Sequence, residues 1–487
     1  MKMKKLTVRI LLVCLCLCMA IPLFAACQKD DEKDPVKTQG NAAQSTATGG
    51  IIDDQLPADL NFDRVVKILA CEQQAYHFYA AEKTEDVIKN VIYDRNETVM
   101  DRLGVELEWI KRPGTFPERE DFIKAVQQSQ SGGEVYDACI CYNLVPYAMA
   151  AKGIVANLYD TKYIDLNAPW WPKTYLEAGV YKDQIYGLVE SCGYGTLERM
   201  IATFFNTELV EDKKLESPYD LVANNEWTFD KLMSMIKDSH VDRLNDGKTK
   251  DDFYGLVAGG TSPMLDSWFF ALGNRYSRVD VNGELELTLG NAATGDFLTK
   301  VNEAFATADV MLYDLNGHTQ TFLSENAIFY NTIVGMTSSL KDTDVPYGIV
   351  PTPKASSDSE YYTHLGNTHD AWCIPTGVKD MDCSSALLEC MASESYRQTN
   401  PVYFEAMLKL RYAQDERVAD MYDLIRENIG FDFCYLYVTA FDSDIIPCEV
   451  LRRCVVSPTQ NKWSDVWDKQ GERITNQFQT IIDLYSK

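Results

Sequence analysis

The chain has 487 residues, room for about three domains in series or two large ones at about 150 residues each. Hydrophobic residues make up 46% and charged residues 24%, which excludes wholesale disorder. With 46 Lys and Arg against 72 Asp and Glu the formal charge is −26, and a surface that acidic repels phosphate backbones and anionic lipid, excluding a nucleic-acid or general membrane-surface role.

The first element is a leader. Met1 to Arg9 is basic, and Ile10 to Phe24 is an apolar run interrupted only by Pro22, too short to span a bilayer but suited to the core of a signal peptide. It ends in Phe24-Ala25-Ala26-Cys27, which resembles a bacterial lipoprotein signal. That resemblance implies cleavage after residue 26 and a lipid-modified Cys27 as the anchor, although Phe24 stands where Leu is usual. Gln28 to Gly50 is polar, without an apolar period, and reads as part of a flexible tether spanning 27–61. Removing residues 1–26 takes four basic residues with it, leaving 42 basic against 72 acidic side chains. Ten cysteines then remain in the body; Cys383 and Cys390, seven apart on a helical pattern, are separated by about 10 Å along such a helix, too far to pair. Most are expected as buried thiols.

In the body, Val65 to Cys71 reads as a buried strand. Thr84 is the expected N-cap of an amphipathic helix that carries Val87, Ile88, Val91, Ile92, Val99, Met100 and Leu103 and stops at Gly104. Val105–Ile110 is a second strand, Glu118–Gln130 a second helix, Val135–Cys141 a third strand and Pro146–Lys152 a short helix. This β-α-β-α-β order predicts a parallel sheet with right-handed crossovers, and ligands of such sheets bind beyond the carboxyl ends of the strands. Ile185–Val189 and Met200–Phe205 are further strands. Thr228 caps a helix carrying Leu232, Met235 and Ile236, Val281-Asn282-Gly283-Glu284 turns a hairpin, and the chain from Cys383 onward is mostly helical.

Several segments then form a series: Pro169-Trp170-Trp171, Asp183 to Leu188, Met200 to Leu209, Asn225 to Asp230, Phe322 to Phe329, and Tyr347 to Lys354. In this order, behind a lipoprotein-type leader and tether, they resemble the extracellular solute-binding protein family 1, the sugar-binding lipoproteins of bacterial ABC importers. The resemblance covers nearly all of 62–487. It implies an α/β fold of the type II periplasmic-binding-protein kind, two α/β lobes joined by a hinge with a ligand cleft between them. The first lobe is expected over 62–197 and 370–430, the second over 198–369 and 431–487. Implied partners are a carbohydrate ligand and ABC transporter permease subunits. The implied setting is the outer face of a cell membrane, reached only through the lipid anchor, in a Gram-positive-type bacterium; a monomer without cofactor is expected.

A sugar site needs aromatic faces for C–H groups and carboxylate, amide or guanidinium partners for hydroxyls, and the chain's 27 Tyr and 8 Trp are a candidate supply. The candidates are Trp268 with neighbouring Asp266, near the start of a helix; His369, Asp370 and Trp372, where the chain crosses between lobes; Tyr76, Asn143 and Glu190, which follow first-lobe strands; and Arg199 at the first crossing. Each also has a bland reading: a core tryptophan for Trp268, a solvated loop for 369–372, an ion pair with Glu198 for Arg199. No GxxxxGK[ST], HExxH or GxSxG occurs, so no catalytic residue or metal ligand is assigned. The function expected is a non-catalytic receptor that delivers a carbohydrate, an oligosaccharide, to an ABC permease. The alternatives are a surface glycoside hydrolase and a solute-binding partner of a membrane sensor.

Overall fold

The computed structural model describes residues 52–191, 193–313, 318–340, 343–403 and 416–486. The leader, Cys27 and the tether up to residue 51 lie outside the described residues. From Ile51 onward the chain forms a unit of its own, built round two sheets.

The first sheet starts with β1 (Arg64–Cys71), β2 (Val105–Arg112) and β3 (Ala138–Tyr142). β1 is central and parallel to both neighbours, with Leu69 opposite Ile110 on one side and Cys139 on the other. Covered on both faces, it is apolar through Ile68, Leu69, Ala70 and Cys71, all fully buried. Helix α1 (Val87–Leu103) buries Ile88, Ile92, Val99 and Leu103, spaced to one face. Its N-cap is Asp86, which accepts from the amides of Ile88 (2.9 Å) and Lys89 (3.2 Å). The expected cap, Thr84, sits two residues back and accepts from Asp86 instead. The helix ends at Gly104, whose φ of +61° favours glycine and where a Cβ would strike Asn61. Helices α2 (Arg119–Gly132) and α3 (Val145–Ala151) complete the right-handed start.

The second sheet comprises β4 (Ile201–Asn206), β5 (Tyr254–Gly259), then, after the hairpin β6 (Ser277–Val279) and β7 (Leu285–Leu287), β8 (Val310–Tyr313), β9 (Ala327–Ile333) and β10 (Tyr347–Pro351). Its order is β10-β4-β9-β5-β8, antiparallel among the first three and parallel from β9 to β8. Helix α4 (Ser262–Ala271) follows β5. The chain then returns as β11 (Asp370–Cys373), antiparallel to β3 at the edge of the first sheet. The segment expected as a strand over Ile185–Val189 is there only as a bridge from Leu188 to Trp372. Helix α5 (Met381–Glu394) lies along α1, whereas α6 (Glu416–Glu427) lies on β10. The expected first-lobe return over 370–430 is thereby shortened at its end. Helices α7 (Pro447–Val456) and α8 (Trp463–Asp483) close the second lobe, α7 packing on α4. Among the described residues no helix is long and apolar enough to cross a membrane. The nine described cysteines of the body are buried thiols.

Two polar networks tie the first lobe together. Asp54, fully buried, accepts from Arg102 on α1 (2.7 and 2.8 Å), from Arg397 (2.8 Å) and from Ser393 on α5 (2.5 Å). Burial works against its charge, but these donors hold its carboxyl well below the usual range. Ordered structure therefore begins within the expected tether, before residue 61. One turn earlier on α5, Glu389 accepts from both indole N–H groups of Trp170 (3.1 Å) and Trp171 (3.2 Å), which places that tryptophan pair in packing. Burial pushes Glu389 up to about 7 from an ordinary 4.5. The folded state thus binds the proton more tightly than the unfolded one, so this group's contribution is fully present below about pH 4.5 and is lost as pH rises through about 7. Thermal unfolding across pH 4 to 8 is expected to show that decline in the wild type and its absence in Glu389→Gln, which keeps an acceptor. Glu389→Leu, leaving two buried indole donors unsatisfied, is expected to cost about 2–4 kcal/mol at any pH.

Candidate ligand-binding cleft

The lobes are joined where two segments of chain run side by side. Ile201 N donates to His364 O (2.9 Å) and Gly366 N to Arg199 O (2.7 Å), around the bridge from Met200 to Leu365. A third segment joins them: Thr363 N donates to Asn428 O (2.8 Å) and Gly430 N to Thr363 O (3.1 Å). These backbone bonds are the hinge.

Beside the hinge lies a cavity of about 550 Å³ lined from both lobes. The first lobe supplies Phe116 from the loop after β2 and Tyr142 from the end of β3; the second supplies Thr261, Ser262 and Pro263 after β5 and Glu449 and Arg452 from α7; Asn367 and Thr368 come from the crossing. The site is thus beyond the carboxyl ends of parallel strands, as the topology requires. Phe116, half-buried, offers an aromatic face, whereas Tyr142, though it borders the cavity, is almost wholly buried and closes the wall. Ser262 Oγ donates to Glu449 Oε1, and Arg452 Nε donates to the Gly260 carbonyl at 2.8 Å, which fixes both charged side chains at the wall.

A buried chain of hydrogen bonds supports the floor. Asp266, on α4, is bonded by the Tyr276 hydroxyl and lies 3.1 Å from that of Tyr435, which in turn lies 2.7 Å from Asn367 Oδ1. Asn367 also bonds the Tyr142 hydroxyl. Burial pushes Asp266 up to about 8, so at neutral pH it is mainly a carboxylic acid. Its proton then goes to Tyr435, whose own proton is free for Asn367, and every group has a partner.

The residues singled out from sequence fall elsewhere. Trp268 is fully buried, ringed by Phe229 and Phe305 at 5.6 and 5.8 Å, and belongs to the second-lobe core rather than the cleft. Asp266 supports the floor from behind. Trp372 is buried and donates to Glu190 Oε1 (3.0 Å), an in-lobe contact beside Arg95; burial raises Glu190. Asn143 and His369 face a small closed space beneath the floor.

The structure does bring Tyr76, Arg199 and Asp370 together, through His77, which was not anticipated, and Glu198, the ion-pair partner expected for Arg199, at 3.4 Å. His77 Nδ1 is 2.6 Å from Asp370 Oδ2 and its Nε2 3.0 Å from Glu198 Oε2. Tyr76 donates to the same Glu198 oxygen (2.8 Å) and receives Arg199 (3.2 Å). A ring with a carboxylate on each nitrogen carries both protons, so His77 is an imidazolium. Burial penalises that charge, but the pull of Asp370, then of Glu198, outweighs it and lifts His77 to about 9. Asp370 is raised, chiefly by burial; Glu198 is buried too, yet its bonds to His77 and Tyr76 and the Arg199 charge hold it down. Glu198 directly precedes the first crossing and Asp370 ends the second, so one first-lobe side chain grips both.

Of the cleft residues, Tyr142 is legible as the residue just after the third expected strand and Asn367 as part of the crossing; Phe116, Glu449 and Arg452 carry no sequence motif. Asp242, Asp246 and Asp252 bring carboxylate oxygens within 4.8 Å of one another, but Asp242 and Asp252 cap backbone amides of their own loop, as a turn does.

The stability that His77 contributes is fully present below about pH 6.5, its unfolded value, and is lost as pH rises through about 9. Thermal midpoints measured from pH 6 to 10 are expected to fall more steeply for the wild type than for His77→Gln; parallel curves would remove the imidazolium from the hinge.

No protein-family model and no curated protein matches the sequence. Solved structures do match. The GacH receptor of Streptomyces glaucescens, determined unliganded and with acarbose and an acarbose homolog, superposes with a TM-score of 0.55 at 12% identity, over 85% of this chain and 99% of that one. The cyclic α-maltosyl-1,6-maltose binding protein of Arthrobacter globiformis gives 0.55 at 11%, over 87% and 99%. An ABC transporter solute-binding protein of Agrobacterium radiobacter, in complex with ribitol, gives 0.53 at 14%, over 86% and 99%. At such identities the likeness is one of fold, and the chain has the two-lobe α/β fold of these binding proteins.

Proposed function

We propose that the protein is a member of the extracellular solute-binding protein family 1, anchored through lipid on Cys27 to the outer face of the membrane, where it captures a carbohydrate and delivers it to an ABC permease. The observation that carries this reading is the cleft: lined from two hinged lobes, walled by Phe116 and Tyr142, and edged by the fixed polar groups of Ser262, Glu449, Arg452 and Asn367. The face of Phe116 suits the C–H face of a sugar ring, and a carboxylate and a guanidinium suit hydroxyls. The ligands named for the solved structures, acarbose and ribitol among them, are polyols of this kind. A volume of about 550 Å³ suits a short saccharide. Closure of the lobes follows from the ligand's contacts to both walls. Binding rather than hydrolysis is favoured because Glu449 is the one carboxyl among the lining residues, whereas most glycosidases set two carboxyls across the bond they cleave.

The test is calorimetry of the unit beginning at Ile51 against mono-, di- and oligosaccharides and alditols, with the sugar recovered and analysed. Saturable binding with the sugar unchanged is expected; shortened product, or no binding across the panel, would overturn the reading. With the ligand so identified, Tyr142→Ala and Phe116→Ala are each expected to weaken binding about tenfold or more, and Glu449→Gln by about 10- to 100-fold, from the 1.5–3 kcal/mol of a hydrogen bond to a charged group. Trp268→Phe is expected to leave affinity within about twofold, since the residue does not reach the cleft. Mass spectrometry of the N-terminal peptide from the natural membrane, expected to show an acylated Cys27, tests the anchor separately.

A further inference from the structure

Beneath the cleft floor, between β3 and the hinge, is a closed space bordered by Asn143, Tyr362, His364 and His369. Their exposures are 2%, 9%, 4% and 2%, and each has a buried polar atom without a protein partner: Asn143 Oδ1, the Tyr362 hydroxyl, His364 Nε2 and His369 Nε2. Buried polar groups in stable folds are almost always bonded, and four orphans round one space point to an occupant.

The hydrogen-bond inventory identifies it. His369 Nδ1 lies 2.9 Å from the Gly366 carbonyl, which only accepts, so the ring proton is on Nδ1 and Nε2 is a bare acceptor. Asn143 Oδ1 is a second acceptor. The Tyr362 hydroxyl can donate, and a neutral His364 in its Nε2–H tautomer supplies the second donor. Two acceptors and two donors are the complement of one water molecule. Burial holds His364 at about 3 and His369 at about 4, so both rings are neutral and impose no charge on the guest. The one carboxylate at the border, Asp432, spends its oxygens on Tyr276 N, Ser277 N and Oγ, and Tyr435 N. A cation there would lack a counter-charge and face two donors. The space open to a water-sized sphere is about 10 Å³, room for about one water. It shares Tyr362, Gly430, Phe431 and Asp432 with a groove of about 330 Å³ that opens at the surface, which gives the guest a route.

We propose that this space is a binding site for a single water molecule, held by Asn143, Tyr362, His364 and His369 as a permanent part of the hinge. The water joins the end of β3 to the crossing segment that pairs with both Arg199–Ile201 and Asn428–Gly430, and sits one residue behind Tyr142. It lets the joint keep four hydrogen bonds while side chains shift by fractions of an ångström, which a direct contact between them would not. The proposal is independent of which ligand fills the cleft.

Diffraction from crystals of the unit beginning at Ile51, to about 1.6 Å, with data also collected at transition-metal absorption edges, is the test. One isolated density peak is expected within hydrogen-bonding distance of all four atoms, without anomalous signal. No peak, a peak touching fewer than three of the four, or an anomalous peak would overturn the proposal. In solution, oxygen-17 relaxation dispersion is expected to count one fewer long-lived water in Asn143→Leu/His369→Leu than in the wild type; an equal count in a folded variant would overturn it as well. Should that variant fail to fold, the wild-type density decides alone.

Discussion

The joint between the lobes depends on four backbone hydrogen bonds, Ile201 to His364, Gly366 to Arg199, Thr363 to Asn428 and Gly430 to Thr363. They hold the outgoing and returning segments together, so the lobes turn about one axis rather than two. The His77 imidazolium fixes the first-lobe side of that axis by gripping Glu198 and Asp370 at once. A buried charge with two carboxylates is an expensive contact in desolvation; what it supplies here is position, since no apolar side chain could hold both crossings at set distances. On the second-lobe side Glu198 lies against Gly335, where a Cβ would come within 2.6 Å of its side chain. The joint is therefore narrow on one face and charged on the other.

The first sheet is open to reading from the chain because its strands and helices are consecutive and each buries a continuous or evenly spaced apolar set. The helix cap was displaced from Thr84 to Asp86 because both side chains accept amide hydrogens, and local composition does not choose between them. The misplacement of Trp268 has a geometric cause. Helix α4 does begin at the cleft, but only Thr261, Ser262 and Pro263 line it; Asp266 and Trp268 are a turn or more deeper and on the core side. Likewise the crossing was read over 367–372, yet His369 and Asp370 turn toward the joint and leave the cleft to Asn367 and Thr368. Glu449 and Arg452 were beyond reach, since they meet Ser262 and Gly260 across more than 180 residues of chain.

Composition also took on a different meaning. The aromatic residues looked like a supply for ligand stacking, but none of the eight tryptophans is among the residues lining the cleft. They are spent on packing: Trp227, Trp268 and Trp372 are among the largest fully buried side chains, and Trp170 and Trp171 share one carboxylate. The polar half of the core is similarly structural. Asp266, Asp432 and Glu389 each hold aromatic hydroxyls, amides or indoles in place, so buried carboxyl groups in this fold mark joints between elements.

Asp54 adds a mechanical consequence. It is locked between Arg102 on α1 and Arg397 just past α5, so tension applied along the preceding chain enters the body there and is shared between two guanidinium pairs. Both helices belong to the first lobe. Pulling on that end therefore loads the first lobe before the second.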